Sequence, residues 1–482
     1  MSAPVRPVAP TALIAELTTA LSPDRVRTSV TELEIYRRDA SNIEGSAGIV
    51  CFPTTTVEVQ ACVRASVRHG WPFVARGSGT GLAGGATPLD GALVISTTKM
   101  NRILSIDTDE RMAWVEPGVI NLDLSRVTSR HGLHFAPDPS SQQSCSIGGN
   151  VANNSGGPHC LAEGVTNSHI LALEVVLPDG EIVMLGGLEP ECDAYDLRGV
   201  FVGSEGMFGI ATRIAVRLTP NPPAVKTLLM AFADTGDGAR TVSAIIAAGM
   251  LPAALEMMDA PITRAVEDFV HAGFPLDAAA ILIVELDGQA HAVEADAQRA
   301  ADVGWTHGAT SVRIAANEAE RALIWKGRKN AFGAIARIKP NYYLHDTVVP
   351  RAKLVDVLEQ VYDIARRHDL IVMNVFHAGD GNLHPLLVFD KREPGVLDRV
   401  HAAGEEIVAA SVAAGGVLSG EHGIGLEKRD YMSMMFSPVD LDLQARLRQA
   451  FDPTGLANPR KVLPSGSRCS DGMVAHGAGL WV

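Results

Sequence analysis

The sequence has no closely spaced pair of cysteines. Its six cysteines include no C-x-x-C motif, which disfavours a zinc ribbon or an iron–sulfur cluster ligated within this chain. It also has no apolar run near the ~20 residues of a membrane helix, so we expect no membrane span. Residues 1–10 contain three prolines and no apolar segment typical of a signal peptide. These absences favour a reducing, cytoplasmic location, peripheral to a membrane only through partners.

The sequence has fewer basic than acidic residues. The 41 Lys and Arg residues against 55 Asp and Glu residues give a formal net charge of −14, which opposes nonspecific binding to nucleic acid or acidic lipid. An anionic ligand stays compatible, because backbone N–H groups and a few arginines can hold one locally. With 46% hydrophobic and 20% charged residues, the composition is that of a globular protein, and 482 residues suggest about three domain-sized units.

Three prolines close together predict a domain boundary. Pro220, Pro222 and Pro223 follow the strand-like residues 214–218 and block both a helix and an inner strand. Before them, the pattern predicts helices at 11–21 and 54–70, strands at 71–75, 93–96 and 112–115, and a hairpin over 170–185. After them, predicted helices at 237–249, 289–301, 316–336, 351–368, 397–414 and 439–451 alternate with predicted strands at 227–232, 279–286, 370–376 and 385–389. The predicted fold class is α+β in both parts.

A glycine-rich loop follows the predicted strand at 71–75. Residues 79–84 match G-x-G-x-x-G, but Pro88, Gly91 and a new strand leave no room for the helix of a Rossmann site. Two interpretations stay open: a tight surface loop, or a nest of backbone N–H groups around a diphosphate. Two further stretches of small residues, at 137–157 and 203–210, favour the second interpretation.

With these three stretches in this order, the chain resembles the FAD-linked oxidases of the vanillyl-alcohol oxidase type, which have a two-subdomain α+β FAD domain. The resemblance implies that the first loop holds the FAD pyrophosphate and that the others lie along the isoalloxazine ring and ribityl chain. Relatives with covalent flavin have a His where this chain has Thr80, so we expect non-covalent FAD. The implied FAD-binding residues are Arg76, Gly77, Ser78, Gly79, Thr80, Gly81, Leu82, Gly84, Gly85, Pro137, Cys145, Ser146, Gly148, Gly149, Asn150, Asn153, Asn154, Gly157, Glu205, Gly209, Ile210 and Asn458.

A second chemical signal lies in the C-terminal half. His377 and His384 bracket a glycine-rich turn between two predicted strands, and Glu421 and His422 follow in another glycine-punctuated loop. Two histidines and one carboxylate can hold a divalent metal with open coordination positions. Two alternatives stay open: the histidines are hydrogen-bonded structural residues, or Glu421 caps a helix or pairs with an arginine. The sequence has no H-E-x-x-H motif, so a zincin-type protease is excluded.

These segments resemble the substrate domain of the FAD-dependent D-2-hydroxy acid dehydrogenases. The resemblance implies that His377, His384 and Glu421 bind the metal, zinc or alternatively manganese, and that His422 is the catalytic base. It also implies that Arg328 holds the substrate carboxylate, although Arg328 also fits a solvated basic helix face. The expected reaction is oxidation of glycolate, D-lactate or a similar acid to the 2-oxo acid, with FAD as the hydride acceptor.

Two leucines bear on the substrate. Relatives specific for a dicarboxylic acid have a Lys near Leu344 and an Asn at the position of Leu386. The leucines therefore favour a substrate with a smaller or apolar side chain.

The resemblance covers residues 30–463 and extends to FAD subunits of the bacterial glycolate oxidase type. It implies a second flavin subunit and an iron–sulfur subunit as partners, with electrons leaving for another protein or a quinone, and leaves open a homodimer. Two alternatives remain, a non-catalytic flavin-binding relay subunit and a metallohydrolase without flavin. The predicted domains are an FAD-binding domain at 1–219, a substrate or cap domain with the metal site at 220–425, a segment returning to the FAD domain at 426–464 and a flexible tail at 465–482.

Overall fold

The computed structural model describes residues 9–188 and 194–464, which fall into two units. The first unit comprises Met1–Gly156, Val165–Asn221 and Glu421–Val482, and the second comprises Gly157–Gly164 and Pro222–Gly420. The predicted tail at 465–482 lies outside the described residues. Within the described ranges, no helix is both long enough and apolar enough to cross a bilayer. The functional division into domains stays a prediction.

The described residues of the first unit form three sheets. Four strands form one sheet in the order Val26–Arg27, Ala47–Cys51, Ala92–Ser96 and Phe73–Arg76. Five antiparallel strands form another in the order Ile103–Asp107, Met112–Val115, Ile210–Arg217, Ile170–Val176 and Ile182–Gly186. Leu133–His134 and Thr219–Pro220 form a short ribbon. The α-helices described in this unit are Thr11–Leu21, Val30–Glu34, Thr56–Arg68, Asn121–Thr128, Ile147–Asn153, Leu197–Phe201, Met432–Met435 and Pro438–Phe451.

The first helix shows how sequence pattern and core agree in this unit. Leu13, Leu17 and Leu21 recur at every fourth residue, so they share one helix face and are buried against the four-stranded sheet. Helix Thr56–Arg68 begins where the side chain of Thr55 accepts a hydrogen bond from Glu58 N.

One large sheet organises the second unit. Seven of its described strands follow the order Ala309–Ile314, Ala224–Phe232, Ala280–Gly288, Ala254–Asp259, Ile371–His377, Asn382–Leu383 and Thr347–Val348. Pro385–Phe389 pairs with both Ile371–His377 and Asn341–Leu344. The α-helices described here are Cys160–Glu163, Thr235–Ala247, Ala260–Val270, Ala290–Thr306, Glu318–Lys329, Ala331–Ile335, Leu354–Arg367 and Val396–Ala413, and 3-10 helices in the two units are Pro23–Arg25, Thr97–Lys99, Ser129–His131, Thr166–His169, Arg351–Lys353 and Arg429–Tyr431.

The alternation of side chains across this sheet places two glutamates on one face. Leu255 and Met257 of strand Ala254–Asp259 join the main apolar core of the unit. Because successive side chains of a strand point to opposite faces, Glu256 lies on the other face. Glu285 is paired in register with Ala254, so it lies on the same face as Glu256. Both glutamates are buried.

Most predicted elements are confirmed to within a few residues, including the hairpin formed by Ile170–Val176 and Ile182–Gly186. The single helix predicted at 316–336 is wrong, because the structure has two helices that meet at Asn330. The side-chain amide of Asn330 donates to Lys326 O at the end of the first of them. Strand Ala254–Asp259 was not predicted.

Candidate active site

The first glycine loop joins strand Phe73–Arg76 to strand Ala92–Ser96 without an intervening helix, which confirms the argument against a Rossmann site. Gly79 and Gly84 adopt φ values of 74° and 75°, a region that favours glycine. Within the parts of the chain that the structure describes, the backbone N–H groups of residues 77–85 donate to no protein acceptor. A row of such donors can bind an anionic group.

The second loop lies directly against the first. A Cβ added to Gly77 would lie 2.2 Å from Ser146 Oγ, so a side chain there would separate the two loops. Ser146 is also the N-cap of helix Ile147–Asn153, and its hydroxyl accepts a hydrogen bond from Gly149 N. The amide of Asn121 fixes the loop by donating to Pro137 O and to Asn150 Oδ1.

The third loop is held to the second by backbone hydrogen bonds. Gly203 N donates to Val151 O at 2.9 Å, and Glu205 N donates to Ala152 O at 2.8 Å. Glu205 Oε1 in turn accepts a hydrogen bond from Ile424 N at 2.7 Å. Burial raises the pKa of Glu205 to about 7, against the opposing effect of nearby backbone N–H groups and of Lys461.

Two residues near the C-terminal end of the first unit fasten these loops. Asn458 Nδ2 donates to Gly85 O and to Glu205 O, at 2.8 and 2.6 Å. Lys461, which the sequence analysis missed, donates from Nζ to Gly84 O and Thr87 O, and burial lowers its pKa to about 7. Its partners lie more than 370 residues earlier in the chain, so no local pattern could have revealed it.

The predicted FAD-binding residues differ in the unit to which they belong and in what surrounds them. Gly157 belongs to the second unit, whereas the others belong to the first. Ile210 is buried in the core of the first unit, and a Cβ on Gly209 would lie 2.5 Å from Val176 O. Both therefore also serve the packing of the five-stranded sheet.

The gathered loops fit a ligand rich in phosphate and hydroxyl groups. Besides the row of N–H donors, Ser204 Oγ, Glu205 Oε2 and Asn458 Oδ1 are buried without a hydrogen-bond partner among the described residues. Buried polar groups are normally satisfied, so these atoms indicate a missing partner. The phosphates and the ribityl hydroxyls of FAD supply the acceptors and donors that this set needs.

In the second unit, the two predicted metal-binding histidines face each other across a turn. His377 ends strand Ile371–His377, and His384 immediately precedes strand Pro385–Phe389. Gly381, at φ 79°, forms the turn, and the imidazole centroids are 5.0 Å apart. Glu421, the predicted third ligand, follows directly after Gly420, the last residue of this unit. This set fits a divalent cation with open coordination positions.

Glu256 adds a carboxylate that the sequence analysis missed. It is paired in register with His377 on the neighbouring strand, and His377 Nδ1 lies 2.6 Å from Glu256 Oε1. A carboxylate at Nδ1 selects the tautomer that would bind a metal through Nε2.

Arg328 contacts the same carboxylate. Its Nε and one terminal nitrogen lie 2.7 and 2.5 Å from Glu256 Oε2, and its side chain is 1% exposed. A solvated basic helix face is therefore wrong for Arg328. Its role as a clamp for a substrate carboxylate stays a prediction.

Asp346 lies between the second histidine and the segment that leads into Glu421. His384 Nε2 lies 3.6 Å from Asp346 Oδ1. Ser419 Oγ and Gly420 N donate to the two oxygens of Asp346, at 2.6 and 3.0 Å. Asp346 is fully buried. Its two hydrogen bonds therefore fix the backbone immediately before Glu421.

His422, the predicted base, belongs to the first unit. Its Nε2 lies 3.5 Å from Glu421 Oε1, and its carbonyl oxygen accepts a hydrogen bond from Asn153 Nδ2 at 2.8 Å. A predicted FAD-binding residue thus holds the backbone of the predicted base.

Leu344 and Leu386, the two leucines predicted to bear on the substrate, are direct neighbours. Leu344 and Leu386 are paired in register on adjacent antiparallel strands, and both are buried. The two leucines therefore form one apolar spot rather than two separate positions.

Two family models match the chain. The model described as "FAD binding domain" matches residues 47–186, and the model described as "FAD linked oxidases, C-terminal domain" matches residues 221–462. Together they cover most of both units.

Three curated relatives align with nearly the whole chain. The glycolate oxidase subunit GlcD of Escherichia coli (strain K12) is 45% identical over 428 residues, which are 89% of this chain and 86% of the relative. GlcD of Bacillus subtilis (strain 168) is 39% identical over 90% of this chain and 93% of the relative. The D-lactate dehydrogenase of Anaerostipes hadrus is 31% identical over 92% of this chain and 95% of the relative.

Solved structures agree on the fold. A p-cresol methylhydroxylase structure is 18% identical, with a TM-score of 0.81 over 94% of this chain and 96% of the other. The 4-ethylphenol oxidase of Gulosibacter chungangensis is 21% identical, with a TM-score of 0.77 over 95% and 98%. At such identities the likeness concerns the fold alone, and it confirms the predicted two-part FAD-binding fold of the vanillyl-alcohol oxidase type.

Proposed function

This chain belongs to the FAD-linked oxidases, and we propose that it oxidises a small D-2-hydroxy acid, such as glycolate or D-lactate, to the 2-oxo acid. The names of its relatives, glycolate oxidase subunits and D-lactate dehydrogenases, support this substrate class. The observation that carries the proposal is the buried pair His377 and His384, whose imidazole centroids lie 5.0 Å apart across one turn. Glu421 and His422 follow in the next glycine-punctuated loop of the sequence. A flavin-binding relay subunit has no use for such a set.

The three glycine-rich loops of the first unit would hold FAD without a covalent bond. Their N–H groups suit the pyrophosphate, and the unpartnered atoms of Ser204, Glu205 and Asn458 suit hydroxyl or ring N–H groups. FAD, when bound, supplies the hydride acceptor for C2 of the substrate.

His377, His384 and Glu421 would hold a divalent metal, with zinc proposed first and manganese second. A metal at such a site supplies a Lewis acid that makes a bound hydroxyl more acidic. His422 would take the hydroxyl proton on a ring nitrogen, since an imidazole with an ordinary pKa near 6.5 can accept one at neutral pH. The apolar pair Leu344 and Leu386 would favour a short or apolar substrate side chain.

The electrons would then pass to another protein or to a quinone. Among the described residues, the only group of His, Cys, Asp or Glu suited to a metal ion is the one already named, so no iron–sulfur ligand set lies there. The name "subunit" of two relatives supports partner proteins, with an iron–sulfur subunit and a second flavin subunit proposed among them.

Anaerobic titration of the purified flavoprotein with D- and L-2-hydroxy acids tests the proposal. We expect glycolate or a D-acid to bleach the flavin absorbance, and we expect a chelator to abolish this bleaching. A flavin that no acid in the panel reduces would contradict the proposed function. A protein purified without flavin would favour a metallohydrolase.

His422→Ala tests the assignment of the base. We expect the variant to retain FAD and to lose reduction by substrate by about 10²- to 10⁴-fold, the usual contribution of a general base. Stopped-flow measurement of flavin reduction checks this. A rate near that of the unmodified protein would move the base to another residue.

A further inference from the structure

Glu256 stands at a point where three buried charged or titratable side chains meet. It is fully buried, and its partners Arg328 and His377 are 1% and 3% exposed. One carboxylate oxygen, Oε1, contacts His377 Nδ1, while the other, Oε2, contacts the guanidinium. Each carboxylate oxygen of Glu256 therefore contacts a different side chain.

The geometry follows from the sheet and from one helix. Glu256 and His377 are directly opposite on antiparallel strands, so their side chains leave the same face of the sheet close together. Arg328 lies in the last turn of helix Glu318–Lys329. Its guanidinium supplies the counter-charge that the buried carboxylate of Glu256 needs.

We propose that Glu256 is a positioning residue for the candidate metal site and that Arg328 holds Glu256 in place. The carboxylate fixes the His377 ring with its proton on Nδ1, so that Nε2 faces the cation. The inference rests on the proposed function, because it takes His377 as a metal ligand. It adds a residue that lies 121 positions from His377 and outside every predicted motif.

The role of Arg328 changes accordingly. Its Nε donates to Glu256 Oε2, and one terminal nitrogen lies 2.5 Å from the same oxygen without the geometry of a hydrogen bond, so one edge of the guanidinium is turned towards the carboxylate. An anchoring arginine and a substrate clamp respond differently to substitution, which makes the two roles separable.

The experiment measures metal affinity rather than turnover. Zn²⁺ and Mn²⁺ are each titrated, in competition with a chelator, into the full-length FAD-loaded protein and into the variants Glu256→Gln and Glu285→Gln. Glu285 is the matched control, because it is also buried on this face and also contacts an arginine and a histidine. Its histidine, His159, is not part of the candidate metal set.

We expect Glu256→Gln to weaken metal binding by about 10- to 100-fold, as loss of an orienting carboxylate typically does. We expect Glu285→Gln to leave metal affinity unchanged. Unchanged affinity in Glu256→Gln, or an equal loss in both variants, would overturn the proposal. If the unmodified protein binds neither metal, the metal part of the proposed function fails, while flavin reduction by an acid still decides the oxidation.

If Glu256→Gln does not fold, the variant Glu256→Asp tests the positioning role instead. Glu256→Asp keeps the negative charge for Arg328 but is one methylene too short to reach both partners. Weaker metal binding with bound FAD supports the positioning role, and unchanged metal binding overturns it.

The variant Arg328→Lys distinguishes two roles of Arg328, anchoring Glu256 and clamping the substrate carboxylate. The anchoring role predicts weaker metal binding, activity restored by excess metal, and little change in KM for the acid. The clamping role predicts unchanged metal affinity and a raised KM that no excess of metal corrects, because a lysine cannot form the two-pronged contact. The second result would overturn the anchoring of Glu256 by Arg328.

Discussion

Two buried glutamates of the second unit have the same kinds of partner and differ in how many they have. Glu256 contacts Arg328 and His377, and Glu285 contacts Arg321 and His159. We call the first three residues the Glu256 cluster. The Glu285 cluster comprises Glu285, Arg321 and His159, with Trp325 and Thr227.

The Glu285 cluster is saturated with donors. Glu285 accepts two contacts from Arg321, one from Trp325 Nε1 at 2.5 Å and one from Thr227 Oγ1 at 2.6 Å. Burial raises the pKa of Glu285, but His159 and Arg321 outweigh it and lower the value to about 2. Its charge is therefore fully committed to holding the helix and strands together.

The Glu256 cluster has fewer hydrogen-bond donors around its carboxylate, and its histidine also belongs to the candidate metal set. His377 is 4% exposed at its side chain and lies in the candidate metal set, whereas His159 is 27% exposed and stacks on Trp325 with centroids 5.7 Å apart. The two Arg–Glu pairs therefore differ in whether their histidine also belongs to the candidate metal set.

The largest expected effect is that of Glu285→Ala on stability. Removing one partner of a buried ion pair leaves the other charge unpaired, so we expect a loss of about 3–5 kcal/mol in the free energy of unfolding. Denaturant unfolding followed by circular dichroism measures it. Metal affinity should persist wherever the variant is folded. A neutral effect on stability would remove the structural half of the comparison.

Acid should weaken the Glu285 cluster. The folded-state pKa of about 2 lies below the ordinary 4.5, so the stabilisation is complete above pH ~4.5 and is lost as pH falls towards 2. The shift corresponds to on the order of 3 kcal/mol. Melting temperatures between pH 5 and 3 should show the gap between the unmodified protein and Glu285→Gln narrowing. A constant gap would show that Glu285 does not titrate as expected.

Substitution of His159 should give the smallest change in stability, and comparing it with substitution of His377 should give the sharpest contrast in metal binding. His159→Phe keeps a ring against Trp325 and loses a contact of 3.4 Å, so we expect a loss of about 1 kcal/mol or less. Metal affinity should not change. His377→Phe, the counterpart, should abolish tight metal binding, as measured by chelator competition. Equal metal binding by the two variants would erase the distinction between the clusters.

The candidate residues that lie in contiguous motifs could be identified from the sequence. The glycine loops, the His377 to His384 turn and the Glu421-His422 pair are each local, and their spacing limits where the side chains can go. The family model described as "FAD binding domain" supports the cofactor, and the p-cresol methylhydroxylase structure supports the fold.

The sequence did not reveal elements and contacts that depend on pairing with distant parts of the chain. Residues 254–259 read ALEMMD, and Ala, Leu, Glu and Met favour a helix rather than a strand. The segment becomes a strand because it pairs with Ala280–Gly288 on one side and Ile371–His377 on the other. Without that strand, nothing places Glu256 beside His377. Lys461 escaped notice for a similar reason, since its acceptors lie at Gly84 and Thr87.

One helix supplies both arginines of the comparison. Arg321 and Arg328 of helix Glu318–Lys329 are seven residues apart, about two turns, so both point to the same side. Inserting or deleting a single residue between them would rotate one arginine by about 100° relative to the other. Natural variation in this segment should therefore preserve its length more strictly than its composition, and an aligned gap between the two arginines would mark a protein that has abandoned one of the two clusters.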